Sequence, residues 1–133
     1  MLKLIFIDDS QIVLKSIKSV VESFINDKII ECTFYSEPLE LYELCKREEL
    51  EFDILFSDIN MPKMDGYELV KRIKSIEKYR KKAVVAMTTE ISLESKIKGK
   101  AAGMNGWITK IASPEAMKSS IKNIIDKYLE SKK

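Results

Sequence analysis

The stretch Phe52-Asp-Ile-Leu-Phe-Ser-Asp-Ile-Asn-Met-Pro-Lys-Met-Asp-Gly66 decides the fold that this sequence predicts. Its apolar run, residues 54–56, is too short for a helix and is apolar on both alternating faces, as in a buried parallel strand. The run leads to a carboxylate, Asp58, and then to a tight loop marked by Pro62 and by the pair Asp65-Gly66. Ligands of open α/β sheets bind outside the carboxyl ends of the strands, so Asp58 lies where chemistry is expected.

The rest of the chain repeats this alternation of strand and helix. Apolar runs predict further strands at 2–7, 29–35, 83–87 and 106–109, and apolar residues at helical spacing follow each strand. Ser36 and Ser113 are the expected N-caps of the second and last helices, since a proline follows each of them closely. Residues 79–82 are interpreted as a basic connector. The alternation implies right-handed crossovers and one parallel sheet covered on both faces, an α/β fold of a single domain over residues 1–133.

Composition narrows the class of protein. The chain has 133 residues, of which 45% are hydrophobic, and this suits one core. The 23 basic and 21 acidic residues leave a net charge of +2, too weak to indicate a nucleic acid or membrane partner. No apolar run approaches the ~20 residues of a membrane helix, and the first residues predict a strand rather than a signal peptide. Cys32 and Cys45 are interpreted as reduced residues of a cytoplasmic protein.

Two absences exclude several kinds of site. The chain contains no histidine, which removes Ser-His, Cys-His and zinc-histidine chemistry. All four glycines lie at residue 66 or later, so the loop after the first strand has no glycine to cradle a phosphate. Sites of that kind for dinucleotides, nucleoside triphosphates and flavin phosphates are therefore disfavoured.

Four predicted strand ends carry complementary groups. The first strand presents Asp8 and Asp9, the third Asp58, the fourth Thr88 and the fifth Lys110. Crowded carboxylates repel one another, and such an arrangement usually serves a cation. Ligands that offer only oxygen favour a hard ion, Mg²⁺ first. An amine and a hydroxyl opposite the acids suit the oxygens of a transferred phosphoryl group, and Asp58, between both sets, is the expected nucleophile.

With these residues the chain resembles the receiver domains of bacterial two-component response regulators, especially the stand-alone, CheY-like members. The resemblance covers nearly the whole chain and rests on four motifs: Asp8-Asp9, 58–62 with Asp65-Gly66, 87–90 and 106–110. It implies a flavodoxin-like, doubly wound parallel sheet of five strands in the order 2-1-3-4-5, with five helices. It also implies a single receiver domain without an output domain, with no direct DNA binding and no membrane insertion.

The resemblance assigns the chemistry residue by residue. Asp58 would accept the phosphoryl group from a histidine kinase, and Thr88 and Lys110 would hold the phosphoryl oxygens. The implied cofactor is Mg²⁺. Its ligands would be Asp9, Asp58 and the backbone carbonyl of Asn60 directly, and Asp8 mostly through water.

The resemblance also implies how the signal is passed on and ended. Trp107 occupies the position of the family's aromatic switch and would act with Thr88. The surface formed by helix four, strand five and helix five would contact a flagellar motor component, a kinase complex or a phosphotransferase. Asn60, Thr89 and Glu90 would tune dephosphorylation. The protein would act as a signalling phosphoacceptor, catalysing only its own phosphorylation and dephosphorylation.

Two positions depart from the family pattern. Ile111 follows the lysine, where the family usually has a proline with a cis bond. A cis bond before a non-proline residue costs about 2.5–4 kcal/mol, so we expect a trans bond here. Thr89 stands where the family usually has alanine or glycine, and its larger side chain is expected to narrow the access to Asp58.

Three alternatives compete with this interpretation. A haloacid dehalogenase-type phosphatase needs two aspartates separated by one residue, whereas Asp8 and Asp9 are adjacent. A flavodoxin-like electron carrier needs a phosphate-binding loop that the sequence lacks. A receiver-shaped interaction module that is never phosphorylated stays open, and a phosphorylation assay would separate it from the main interpretation.

Overall fold

The computed structural model describes residues 1–110 and 113–132. Strands and helices alternate along these residues, and a short 3₁₀ helix, Glu77–Tyr79, precedes the fourth strand. The strands are β1 (Leu2–Ile7), β2 (Ile30–Tyr35), β3 (Ile54–Ser57), β4 (Ala83–Thr88) and β5 (Gly106–Thr109). The helices are α1 (Gln11–Asn26), α2 (Pro38–Lys46), α3 (Gly66–Lys74), α4 (Leu93–Ala102) and α5 (Pro114–Ser131). Within the described ranges, no helix combines the length and apolar character needed to span a membrane.

The five strands form one parallel sheet in the order β2-β1-β3-β4-β5, which confirms the predicted fold. The register places Ile7 of β1 beside Ser57 of β3, and Ser57 beside Ala86 of β4. Thr88 and Thr109, the last residues of β4 and β5, are paired as well. The residues that follow β1, β3, β4 and β5 therefore emerge together at one edge of the sheet.

Side chains that alternate along each strand divide the core into two layers. One layer packs the sheet against α2 and α3 and includes Ile5, Leu55, Val84, Leu69 and Val70. The other packs it against α1 and α5 and includes Phe6, Phe56, Val85, Ile17 and Ile121. Both faces of the central strands are therefore buried, which explains why β3 is a continuous apolar run rather than an alternating one.

Two local predictions differ from the structure. Ser36 is not the N-cap of α2: the cap is Glu37, and its side chain makes no capping hydrogen bond. Proline favours the first helical position, so the residue directly before Pro38 takes the cap, just as Ser113 does before Pro114. The connector at 79–82 is only partly a basic surface, because Tyr79 is fully buried and its hydroxyl donates to the Leu50 carbonyl at 2.8 Å.

Both cysteines are free: Cys45 is buried and Cys32 half-buried. Burial raises the pKa of each thiol to about 12, so both remain protonated near neutral pH.

Gly66 fixes the loop that carries Asp58 against the start of α3. Its N–H donates to the Ile59 carbonyl at 2.7 Å. A Cβ added at Gly66 would lie 2.1 Å from the backbone oxygen of Asp58 and 2.9 Å from the Cα of Ile59. A side chain at this position would therefore displace backbone rather than a flexible side chain.

We predict that Gly66→Ala lowers the free energy of unfolding by more than about 2 kcal/mol, because the clash is with backbone in a close-packed region. Gly106→Ala is the matched control, since its added Cβ would meet Val85 at an ordinary 3.4 Å. Its effect should stay within about 0.5 kcal/mol. Urea unfolding of both variants measures this, and equal effects would contradict the close approach at Gly66.

Candidate functional site

Three carboxylates meet at the carboxyl edge of the sheet. Asp8, Asp9 and Asp58 each offer an oxygen, and these atoms lie within 4.8 Å of one another. Asp8 and Asp58 are only 2% and 6% exposed, whereas Asp9 is exposed. The parallel register brings these carboxylates together, because the Asp58 N–H donates at 3.0 Å to the carbonyl of Ile7, the residue before Asp8. The predicted acid cluster is thus present in the fold.

Lys110 reaches into the cluster from the end of β5. Its ammonium contacts Oδ2 of Asp8 and lies 3.1 Å from Oδ1 of Asp58, and the side chain is only 13% exposed. The Lys110 N–H donates to the carbonyl of Thr88 at 2.9 Å, which anchors this turn to the end of β4. The lysine therefore offsets part of the charge of two buried carboxylates.

The ionisation of Asp58 reflects this crowded environment. Burial raises the pKa of its carboxyl above the ordinary value, and the neighbouring charge of Asp8 raises it further. Lys110 and the hydrogen bond that the Ile59 N–H donates at 2.8 Å act in the opposite direction without cancelling the rise. These surroundings therefore disfavour the charged form of Asp58, and a cation near it would reverse this balance.

The other predicted residues form the rim of the site. Thr88 is fully buried, and its Oγ1 accepts a hydrogen bond from the Glu90 N–H at 3.3 Å. The Asn60 amide donates to Oε1 of Glu90 at 3.3 Å, which joins the loop after β3 to the loop after β4. Thr89, next to Thr88, is exposed. The residues predicted to tune dephosphorylation therefore lie on the two loops that follow β3 and β4.

Trp107 connects β5 with the loop after β4. Its indole N–H donates to the Glu90 carbonyl at 2.8 Å, and its side chain is half-buried. Trp107 pairs with Ala86, two residues before Thr88, so Trp107 and Thr88 lie on the same face of the sheet. The tip of the ring packs against α4, where a Cβ added at Gly99 would lie 2.7 Å from it.

Sequence reasoning missed two of these contacts. The hydrogen bond from Trp107 to Glu90 joins a side chain to a backbone carbonyl. Every residue has such a carbonyl, so the residue type does not predict which one accepts the bond. The contact of α4 with the indole had a signal, because Gly99 lies within a helix, where glycine is unfavourable unless packing requires it. The peptide bond between Lys110 and Ile111, which is predicted to be trans, lies outside the described residues because they do not include Ile111.

The donor set fits a hard divalent cation. The acid cluster offers carboxylate oxygens alone, and Mg²⁺ prefers oxygen ligands. The crowding of three carboxylates, two of them buried, gives a cation a large electrostatic advantage. Mg²⁺ is therefore compatible with the residues present.

Comparisons with known proteins are consistent with this geometry. A sequence model of the response regulator receiver domain matches residues 4–122. A chemotaxis protein CheY homolog of Campylobacter jejuni is 31% identical over 124 residues, which cover 93% of this chain and 92% of that protein. The structure of the Vibrio cholerae chemotaxis protein CheY4 has 30% identity and a TM-score of 0.78, and the match covers 92% of this chain and 98% of that one.

A more distant structure shares the fold alone. The receiver domain of the sensor histidine kinase PA1611 from Pseudomonas aeruginosa has a TM-score of 0.80 at 17% identity, over 97% of this chain and 98% of that one. That structure has a magnesium ion coordinated in its active site cleft.

We predict that Asp58→Asn raises the urea midpoint of the metal-free protein at pH 7. A group whose folded pKa is raised stabilises the fold at low pH and loses this contribution as pH rises through the folded pKa. Ionised Asp58 therefore destabilises the fold at pH 7, and asparagine removes that effect. The difference should vanish at pH values below the ordinary carboxyl pKa.

Mg²⁺ should reverse this order of stability. At 100 times its dissociation constant it should stabilise the wild type by about 2.7 kcal/mol, and Asp58→Asn much less. Asp126→Asn is the control, because Asp126 is an exposed partner of Lys122 on α5 and should change stability by less than about 1 kcal/mol. A lower midpoint for metal-free Asp58→Asn would mean that the Lys110 contact outweighs burial.

Proposed function

The chain belongs to the response regulator receiver domain family, and from this premise we propose that Asp58 accepts a phosphoryl group from a histidine kinase. The observation that carries the proposal is the position of Asp58. Its carboxylate lies within the acid cluster and also 3.1 Å from the ammonium of Lys110. Asp58 therefore lies next to both the carboxylates that could hold a cation and the Lys110 ammonium that could hold phosphoryl oxygens. The protein is a response regulator of the two-component type, and it acts as a signalling phosphoacceptor.

The proposed step is an in-line displacement at phosphorus. An oxygen of the Asp58 carboxylate attacks, a new P–O bond forms, and the P–N bond to the donor imidazole breaks, with its electron pair left on nitrogen. The Lys110 ammonium offsets charge on the phosphoryl oxygens. Thr88 accepts from the Glu90 N–H, so its own hydroxyl proton can be donated to a phosphoryl oxygen.

Four residues would hold the cofactor: Asp8, Asp9, Asp58 and Asn60 through its carbonyl. Bound Mg²⁺ supplies neutralisation of the charge on the transferring phosphoryl group. Asp8 also contacts Lys110, so it orients the lysine toward the reacting edge of Asp58. This contact with Lys110 agrees with the role proposed for Asp8, which would act on the metal mostly through bound water.

The lifetime of the phosphoryl group is proposed to depend on the rim. The Asn60 amide donates to Glu90 at 3.3 Å, and this pair of side chains could position an attacking water. Thr89 is exposed beside them and crowds the approach to Asp58. Small phosphodonors and water would both have to pass this rim.

The partners are proposed from the family. A histidine kinase supplies the phosphoryl group, and the surface of α4, β5 and α5 binds a downstream protein in chemotaxis-like signalling. That protein would be a flagellar motor component, a kinase complex or a phosphotransferase. A cytoplasmic location belongs to the same proposal. The alternative is an interaction module that is never phosphorylated, which would gain no phosphoryl group in the following experiment.

We predict that the protein gains one phosphoryl group when incubated with Mg²⁺ and a small phosphodonor. The product should be acid-stable but labile to alkali and hydroxylamine, as expected of an acyl phosphate. Asp58→Asn should abolish it and chelation of the metal should suppress it, whereas Asp126→Asn should behave as wild type. Intact-protein mass spectrometry provides the readout. Modification that persists in Asp58→Asn would disprove the assignment of the nucleophile.

The switch role of Trp107 is tested by its own fluorescence, because it is the only tryptophan in the chain. Titration with beryllium fluoride and Mg²⁺ should give a saturable change in the wild type and in the control Thr33→Ala on β2. Thr88→Ala should lose the change while it still binds the analogue, as followed by ¹⁹F NMR. An identical change in Thr88→Ala would show that the indole senses only the nearby ligand.

A further inference from the structure

A basic cleft lies at the end of the sheet opposite the acid cluster. Two adjoining cavities of about 320 Å³ each open beside the amino end of β4 and the last turns of α5. They share three lining residues, Lys81, Tyr128 and Lys132. Lys82 lines the first cavity and Lys127 the second. We call this surface the basic cleft.

The positive charge of the cleft is mostly uncompensated. Two neighbouring cations are paired, Lys78 with Glu51 at 2.7 Å and Arg80 with Glu77 at 3.1 Å. The remaining cations have no carboxylate within 4.0 Å in the part of the chain that the structure describes: Lys81, Lys82, Lys127 and Lys132. Like charges that line one cleft repel one another, and a bound anion would reduce that repulsion.

The floor of the cleft is apolar and held in place. Ile54, Val85 and Ile124 line it together with the ring of Tyr128. The Tyr128 hydroxyl donates to Oδ1 of Asp53 at 3.1 Å, which joins α5 to the loop before β3. A preformed apolar floor lowers the ordering cost of a ligand that brings an apolar side chain.

We propose that the basic cleft docks an acidic segment of a partner protein, with an apolar side chain on the floor and carboxylates at the lysine rim. A concave shape with a sunken apolar floor suits a peptide rather than a lipid surface, which needs apolar side chains that protrude. Lys132 is the C-cap of α5, where the helix dipole favours a cation, but Lys127 lies before the last turn, and Lys81 and Lys82 belong to a different segment. The helix dipole therefore does not account for the cluster.

This docking would not depend on the phosphorylation state. β4 runs from the cleft at Ala83 to Thr88 in the candidate site, and its six residues span roughly 17 Å. The two surfaces occupy opposite ends of one strand and share no residue. A partner could therefore bind at the cleft while the acid cluster at the other end of β4 remains accessible.

The test uses the ¹⁵N-labelled chain of residues 1–133 and the synthetic peptide acetyl-Asp-Glu-Leu-Asp-Glu-Phe-Glu-Asp-amide. We expect saturable shifts confined to amides of residues 81–85 and 124–132, with a dissociation constant on the order of 100 μM. The constant should be unchanged by Mg²⁺ with beryllium fluoride. A peptide with every acid replaced by its amide should not bind. Failure of the acidic peptide to bind, or shifts scattered over all lysine-rich surfaces, would overturn the proposal.

Charge reversal separates the cleft from general attraction to a basic protein. Lys81→Glu with Lys132→Glu should weaken binding roughly tenfold, because two rim charges are reversed. Lys15→Glu with Lys18→Glu on α1 makes the same change in net charge away from the cleft and should leave the constant unchanged. Equal weakening by both pairs would overturn the proposal, as would binding to phosphatidylglycerol vesicles that exceeds peptide binding and requires Lys81 and Lys132.

Discussion

The ammonium of Lys110 between the buried carboxylates of Asp8 and Asp58 is the interaction on which the candidate site depends. Two carboxylates this close, each less than a tenth exposed, repel one another, and a positive charge beside them reduces that repulsion. The lysine supplies that charge from β5, three strands away from β1 in the sheet. The site is therefore incomplete until these strands have paired, because Asp8 follows β1, Asp58 follows β3 and Lys110 follows β5.

The same arrangement disfavours the charged form of Asp58. Burial and the charge of Asp8 keep the pKa of Asp58 raised even with Lys110 in place. A cation relieves this repulsion, and a phosphoryl group gives the lysine a new set of oxygens to contact. The site is thus built to respond to ligands rather than to maximise the stability of the fold. A fold with good packing on both faces of its sheet can tolerate such a site, because the two apolar layers stabilise the strands that carry it.

We propose that Glu90 couples the candidate site to helix α4. Its N–H donates to Thr88, its carboxylate accepts from Asn60, and its carbonyl accepts from the indole of Trp107. A movement of Thr88 toward a phosphoryl oxygen would disturb the first of these bonds and strain the others. The indole packs against α4 at Gly99, so a change at Glu90 would be transmitted to that helix. Such a two-state element needs a differential interaction of only a few kcal/mol to shift its population.

The sequence by itself determined the strand and helix alternation, the parallel α/β fold and the residues that could gather at the carboxyl edge. Local patterns were sufficient here, because a short, continuous apolar run such as residues 54–56 is typical of a strand in a sheet buried on both faces. The predicted cap of α2 was wrong because Pro38 shifts it by one residue, from Ser36 to Glu37.

Only the tertiary structure decided that Lys110 contacts Asp8 as well as Asp58 and that Trp107 bonds to the Glu90 carbonyl. Only it placed four lysines of two segments around the apolar floor at the opposite end. These contacts join residues far apart in the chain, and register and helix packing set their distances, which residue spacing does not encode.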